Sequence, residues 1–329
     1  MSTFSSQLSL ADAQPPSAAV EMAAHRVSAV SLEVRAGKPA VSALASEALP
    51  EGALVPSLTA SNARDRQAVT AALKRVLDEI GRPSRIGLVV PDVVSKVSLV
   101  RFAQVPARTQ DLDQLIRWQV RKAAPFPIEE AQVSYVPGIH AEDGQDFLVS
   151  MARRDIVAEY EAICTSCGAH AGIVDLSTFN VINAAIAAGA VRGSAAEDWL
   201  LVNVAADYAS IALLRGANLI FFRNRASDAD GTLADLVHQT AMYYEDRLGG
   251  AGFTRVLLSG ASSAGARQAA GVDEIRRSLE ERLGKRVETV DPRGAVTLTD
   301  RIAASPLFLD TLAPLVGLLM RDRVSEAAA

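Results

Sequence analysis

The chain offers almost no thiol or metal chemistry. Of 329 residues only Cys164 and Cys167 are cysteines, and they stand alone as Cys-x-x-Cys. Such a pair is activated where it opens a helix, because the positive end of the macrodipole stabilises a thiolate. Here it closes a helical run expected over 155–167, just ahead of Gly168, so the dipole has the wrong sign. No second pair and no histidine stands at zinc spacing, and the two cysteines read as structural. His25, His140, His170 and His238 show no ligand spacing among themselves. A Walker loop and a Gly-x-Ser-x-Gly elbow are missing. So are a run of eighteen apolar residues and a charged-apolar-small leader, from which a soluble, cytoplasmic protein is expected. A net charge of −5 gives no general field for nucleic acid or anionic lipid.

What is present is a regular alternation of strand and helix patterns. At 329 residues, 49% of them hydrophobic, the chain is long enough for two lobes with separate cores. Residues 1–17, rich in Ser, Ala, Gln and Pro, read as a disordered tail. Strands are expected at 18–22, 26–35 and 39–47, with a turn at Gly37-Lys38. Helix 65–80 follows, carrying Val69, Leu73, Val76 and Leu77 on one face and Gly81 as its stop. Residues 199–205, 208–215, 218–225 and 232–248 repeat the order of three strands and a helix. This duplication, with mostly short links, predicts paired α/β lobes.

Between the halves, residues 85–168 read as strand, strand, helix, strand, strand, helix. The expected organisation is therefore a first lobe from 18–83 and 169–190 and an inserted α+β subdomain at 84–168. A linker near 189–198 leads to a second lobe at 198–323, with a flexible C-terminus at 324–329. The second lobe continues with strand 255–259, helix 273–283, strand 287–290 and a closing helix at 307–321.

One stretch of the insert stands out, Arg117-Trp-Gln-Val-Arg-Lys-Ala-Ala-Pro-Phe-Pro-Ile-Glu-Glu-Ala-Gln-Val-Ser-Tyr-Val136. Leu112, Leu115, Ile116, Val120 and Ala123 recur at one helix face. Pro125 and Pro127 then end the helix, since neither has an amide donor and each biases its predecessor toward extended geometry. Phe126 is held between them, either as a core plug or as part of a preset binding turn. Trp118 lies off the apolar face, either partly exposed or buried against the second lobe. Glu129 and Glu130 sit on an emerging strand and point to opposite faces, which argues against a shared catalytic site.

This stretch resembles a segment of the type IV pilus assembly protein PilM, in which a helix ends in a Pro-Phe-Pro-(Ile/Leu) turn before acidic residues and a strand. Arg85-Ile-Gly-Leu-Val-Val-Pro-Asp92 and the strand from Ser95 to Phe102 are similar as well, as is Ala313-Pro-Leu-Val-Gly317 near the chain's end. The likeness runs from about 18 to 321 and is strongest at 85–136. It implies an actin-like (ribonuclease H-like) two-lobed fold with a small inserted α+β subdomain, related to the cell-division protein FtsA and to the cytoplasmic part of the secretion protein GspL. The implied role is a structural adaptor at the inner face of the inner membrane, reaching the membrane only through partners. The resemblance implies capture of the N-terminal cytoplasmic peptide of a PilN-like protein between the first lobe and the insert. Trp118, Phe126, Pro127 and Ile128 are the expected partner-binding residues. Other components of the pilus inner-membrane complex are further implied partners, and ring formation or self-association stays open. A GspL-type secretion component is a third reading, disfavoured because no membrane helix or periplasmic domain follows.

The resemblance also implies where nucleotide would bind. A first hairpin of the type Asp-Ile-Gly-Ser-Ser-Ser corresponds to Glu21-Met22-Ala23-Ala24-His25-Arg26. Ala23 adds a β-carbon where glycine lets amides approach a phosphate, and Ala24 and His25 replace hydroxyl donors. Arg26 reads as an exposed turn arginine or, alternatively, as a phosphate partner. A second hairpin, Asp-Ile-Gly, becomes Asn203-Val204-Ala205, and asparagine lacks the charge a divalent ion requires. Asp207 is a poor substitute. A glycine pair near the adenosine becomes Gly260-Ala261, and a Gly-Gly turn keeps only Gly231. The expectation is a degenerate nucleotide site without cofactor, metal or catalytic residue. The alternative is a working ATPase that binds ATP with Mg.

Overall fold

Alternation of apolar residues along the strands decides which helix covers which face. The computed structural model describes residues 16–189, 197–227, 230–264, 271–298 and 305–328. The first sheet begins with an antiparallel meander of β1 (Ala18–Ala23), β2 (Arg26–Arg35) and β3 (Lys38–Ala48). β2 and β3 are joined by a two-residue turn in which Ala36 and Gly37 have φ of 49° and 76°, the left-handed pair a tight hairpin of this hand requires. Helix α1 (Arg66–Glu79) follows, its first turn capped by Asp65, which accepts from the Ala68 amide. β4 (Arg85–Val90) and, much later, β8 (His170–Leu176) add in parallel beside β1.

The second sheet repeats this plan. β9 (Asp198–Val204), β10 (Tyr208–Arg215) and β11 (Asn218–Ala226) form the meander, and α5 (Leu233–Leu248) follows. β12 (Arg255–Ser259), the short α6 (Ala261–Ala264), α7 (Val272–Leu283) and β13 (Val287–Thr289) complete it. The orders β3-β2-β1-β4-β8 and β11-β10-β9-β12-β13 are the same path drawn twice. The protein has an actin-like, two-lobed α/β fold.

Each sheet is buried on both faces, and the two faces are covered differently. In the first lobe Val20, Met22, Ile86 and Leu88 face α1 and α3 (Arg154–Ser166), with Val69, Leu73, Ile156 and Ile163 filling the layer. In the second, Leu200, Val202 and Val256 face α5 and α7. The opposite faces carry exchanged helices. α4 (Ser177–Ala187), which ends the first half, lays Val181, Ala184 and Ala185 on Trp199, Leu201 and Leu257 of the second sheet. α8 (Pro306–Ala328), the last element, lays Leu312, Leu315 and Val316 on Ala19, Val30 and Val89 of the first. The two helices cross at Gly317, where a β-carbon would stand 1.6 Å from the carbonyl oxygen of Asn180.

These placements correct several expected boundaries. β4 lies inside the first sheet and α3 inside its core, so the insert is not 84–168 but the unit from Ser95 to Arg153. Hydrophobic periodicity shows that 85–90 and 154–166 are buried, not against which sheet. The second lobe does not hold all of 198–323, because α8 covers the first sheet and β14 (Thr297–Leu298) pairs in parallel with β3. The closing helix runs past its expected end at 321, to Ala328. The expected tail at 1–17 lies outside the described residues except for Pro16 and Ser17. The linker near 189–198 likewise falls largely outside them.

The insert itself is a three-stranded antiparallel sheet with β7 (Gly144–Arg153) between β5 (Ser95–Phe102) and β6 (Ala131–Ala141). One face is covered by α2 (Thr109–Val120), whose Ile116 and Val120 pack on Phe147, Val149 and Met151. Ser95 pins the stem, sharing a 2.7 Å hydrogen bond with Ser150 and donating to the Met151 carbonyl at 3.0 Å. Cys164 is buried in the first-lobe core, and burial pushes its thiol up to about 12, as expected of a structural cysteine. Among the described residues no helix is long and apolar enough to cross a membrane.

Gly317→Ala is expected to cost at least the ~1–3 kcal/mol of an overpacked core, because its β-carbon meets backbone and no side chain can yield. Gly172→Ala, where a β-carbon would meet only the flexible Arg85 side chain at 3.8 Å, is the control and should stay within about 0.5 kcal/mol. Urea unfolding midpoints of the two variants separate these outcomes.

Candidate functional site

β1 and β9 are equivalent strands, so the duplication brings the turns at their ends together where the lobes meet. Glu21 and Ala23 share a face of the β1–β2 hairpin with Arg26 and Ser28, since Glu21 pairs with Ser28 and Ala23 with Arg26. Arg26 is therefore buried, which corrects its reading as an exposed turn arginine. Its guanidinium donates to Glu21 at 2.9 Å and to Ser28 at 3.1 Å, and lies 3.0 Å from His25 Nε2. Ser177 donates to the other oxygen of Glu21 at 3.3 Å. The charge of Glu21 is thus neutralised from within the hairpin.

Across the junction, Asp92 is fully buried just beyond the end of β4. Its carboxylate accepts from the Thr178 amide at 2.9 Å, from the Thr178 hydroxyl and, from the second lobe, from Ser210 Oγ at 2.6 Å. Its own amide donates to Tyr208 Oη at 3.1 Å. Burial pushes the Asp92 carboxyl up to about 6, against the lowering effect of its donors. Asn203 joins the group by donating to Thr178 Oγ1 at 2.9 Å.

The third element closes the back of the cleft. Gly260 has φ of 78° and comes so near β9 that a β-carbon would lie 2.1 Å from the Val204 carbonyl oxygen. Only glycine fits there. The Asp310 carboxylate, reaching in from α8, accepts from the amides of Gly260 at 2.9 Å and Ser262 at 2.7 Å. What remains open among these groups is about 30 Å³ of space for water-sized spheres. That admits a water or two, whereas ligand pockets run to ~300–1,000 Å³.

The junction gathers most of the expected nucleotide-site positions. Glu21, Ala23, Ala24, His25, Asn203, Ala205 and Gly260 line the small cavity, and Ala261 packs behind it in the second-lobe core. Gly231 does not join them. It sits in an exposed turn whose carbonyl, with that of Asp230, accepts from Arg225 at 2.9 Å. Sequence reasoning missed Asp92, Thr178, Tyr208, Ser210 and Asp310. Asp92 had a signal, an acid directly after the apolar run Ile86–Val90 and a proline. The hydroxyls had none, because only the folded junction brings them to a carboxylate.

The expected partner-binding residues all lie on the insert. Trp118 is 69% exposed, two residues from both Ile116 and Val120 and so on the far side of α2; it is not buried against the second lobe. Phe126 is half-buried, Pro127 exposed, and Ile128 half-buried against the insert's own apolar cluster. The turn leads into Ala131, the register partner of Arg153. Arg153 donates to the Thr59 carbonyl of the first lobe at 2.6 Å and pairs with Asp155. Glu159 fixes that first-lobe loop, accepting from the amide of Asn62 at 2.8 Å and from Ser61 Oγ at 2.5 Å. The first-lobe loop and the strand that follows the proline turn therefore stand on either side of Arg153.

Breaking the Glu21–Arg26 pair from one side should be costly. Arg26→Met leaves a buried carboxylate uncompensated and is expected to cost ~3–5 kcal/mol, whereas the double variant with Glu21→Leu should recover most of that loss. Urea unfolding of the single and double variants checks the difference.

The chain is similar in structure to the PilM-PilN type IV pilus biogenesis complex, with a TM-score of 0.77, 18% identity, and coverage of 93% of this chain and 98% of that one. At that identity the likeness is one of fold. More distant likenesses, with TM-scores of 0.49 and 0.46 and 9% identity, are to two other solved proteins. One is a Bacteroides thetaiotaomicron VPI-5482 protein with an actin-like ATPase fold and unknown function, covering 84% of this chain and 90% of that one. The other is the cytoplasmic domain of EpsL, an inner membrane component of the type II secretion system of Vibrio cholerae, covering 73% and 80%. No curated protein sequence matches the chain. The family model of the type IV pilus assembly protein PilM matches residues 19–247, and the chain belongs to that family.

Proposed function

We propose that the protein is a cytoplasmic structural adaptor of a type IV pilus-like assembly complex, which captures the N-terminal cytoplasmic peptide of a PilN-like inner-membrane protein. The observation that carries this reading is the likeness, over 93% of the chain, to a protein solved together with PilN. The region around Arg153 suits such a peptide. An extended segment gains backbone hydrogen bonds along strand edges and specificity from side-chain pockets. Trp118 offers an exposed aromatic anchor, of the kind that dominates interface energies. Pro125 and Pro127 restrict the Phe126 turn before any partner arrives, so little ordering is required on association.

A titration of a synthetic PilN-like N-terminal peptide tests this reading. Saturable binding is expected, and Trp118→Ala and Phe126→Ala are each expected to weaken it tenfold or more, about 1.4 kcal/mol. Cooperative melting should survive in both. A large drop in melting temperature for Phe126→Ala with unchanged affinity would assign Phe126 to the core, where truncation costs ~3–5 kcal/mol. Absence of binding to the parent protein would overturn the adaptor reading.

The lobe junction is read as a pseudo-ATPase site. Its support is the internal Glu21–Arg26 pair and the small open volume, together with Ala23, Asn203 and Ala205 in place of residues that would hold metal and phosphate. Fluorescent ATP with Mg is expected to show no saturable binding. Micromolar affinity, with hydrolysis abolished by Glu21→Ala, would establish the working ATPase instead.

A further inference from the structure

Asp92 occupies an unusual mechanical position. It opens the short turn Asp92–Val94 that leads from β4 of the first lobe into β5 of the insert. Its side chain is shared between Thr178 at the start of α4 and Ser210 of the second lobe, while its amide is held by Tyr208 of the second lobe. Three parts of the molecule therefore meet at one fully buried carboxyl. Separating the lobes would break the Ser210 and Tyr208 bonds and let water reach it.

We propose that Asp92 is a proton-operated clasp: taking up a proton at this carboxyl tightens the second lobe against the first lobe and the insert's stem. The direction follows from the surroundings. All the bonds to the side chain come from neutral donors, one amide and two hydroxyls, and none from a cation. The acid that acts directly on it is Asp175 on β8; Asp207 before β10 and Glu21 on β1 act on its partner Tyr208, and Asp310 on α8 is held by the Gly260 and Ser262 amides. Arg26 is already committed to Glu21, with His25 beside it. Tyr208 is held neutral, raised well above its ordinary range by burial. A charge on Asp92 is thus desolvated without a counter-ion, whereas the neutral acid can donate to one hydroxyl and accept from the rest.

Burial raises the Asp92 carboxyl from 3.8 to about 6 in the closed molecule, and opening returns it toward its ordinary value. Between these values the closed state holds the extra proton. Closure is therefore favoured as pH falls through about 6 and loses this contribution as pH rises. From pH 7.5 to pH 5 the closed-to-open ratio should rise about tenfold on account of Asp92.

Hydrogen exchange of the Thr178 amide, which donates directly to Asp92, reads the clasp once rates are corrected for intrinsic exchange. The full chain is expected to show about tenfold greater protection at pH 5 than at pH 7.5. Asp92→Asn, a permanently neutral isostere, should raise protection at pH 7.5 above the parent's and change several-fold less than the parent between the two pH values, the remainder coming from Asp175 and Asp310, whose carboxyls burial also raises. Equal pH dependence in parent and variant would overturn the proposal, as would greater protection of the parent at pH 7.5. Should Asp92→Asn fail to fold, Ser210→Ala serves instead. It removes a donor that favours the charged form, so the midpoint of the protection change should move to higher pH, and an unmoved midpoint would overturn the clasp.

Discussion

Everything in this molecule depends on two helices that change sides. α4 leaves the first sheet and covers the second, α8 leaves the second and covers the first, and they cross where Gly317 meets the carbonyl of Asn180. Each lobe thus buries an apolar helix face supplied by the other half of the chain. Neither sheet is covered on both faces without its partner, so the halves are parts of one cooperative structure. Small residues at the crossing, with Ala184 and Ala185 of α4 and Ala313 of α8 all buried, let the backbones approach closely. That approach sets how far apart the equivalent strands β1 and β9 stand.

The separation of β1 and β9 fixes the character of the junction between them. Polar groups there lie in a region too narrow for bulk water, where an unpaired charge is expensive. The residues satisfy one another: Arg26 serves Glu21, the hydroxyls of Thr178 and Ser210 serve Asp92, and two amides serve Asp310. In such a network each member constrains the rest. Gly260 and Asn203 belong to it as packing and hydrogen-bonding residues in their own right.

The insert is attached differently. It has an apolar cluster of its own, built from α2 on one face of three strands, and it meets the rest of the molecule through Val97, packed against the first-lobe core, and along β11 of the second lobe. Ser95 and Arg153 stand at the two ends of the unit, one fixing β5 to β7 and the other reaching Thr59. The Phe126 turn and the exposed Trp118 lie on this part.

Sequence alone determined the elements and their duplication, because helix and strand periodicities are local properties of neighbouring side chains. Val69, Leu73, Val76 and Leu77 mark α1 by spacing, and the paired prolines mark the end of α2. The resemblance carried by 85–136 supplied the family. The resemblance also implied the cleft positions at Glu21, Ala23, Asn203, Ala205 and Gly260, and the structure brings them to one small cavity. What only the tertiary structure decided is partnership across long separations. Strand character at 85–90 and helix character at 154–166 could not say that both belong to the first lobe. Nor could an apolar closing helix announce which sheet it covers, since every buried face is written in the same aliphatic residues. Arg26 looked exposed because a turn arginine with no visible partner usually is; the pairing of β1 with β2 put Glu21 beside it. Asp92 meets Ser210 across 118 residues of chain, and no local pattern encodes a contact made when two independently patterned lobes close on each other.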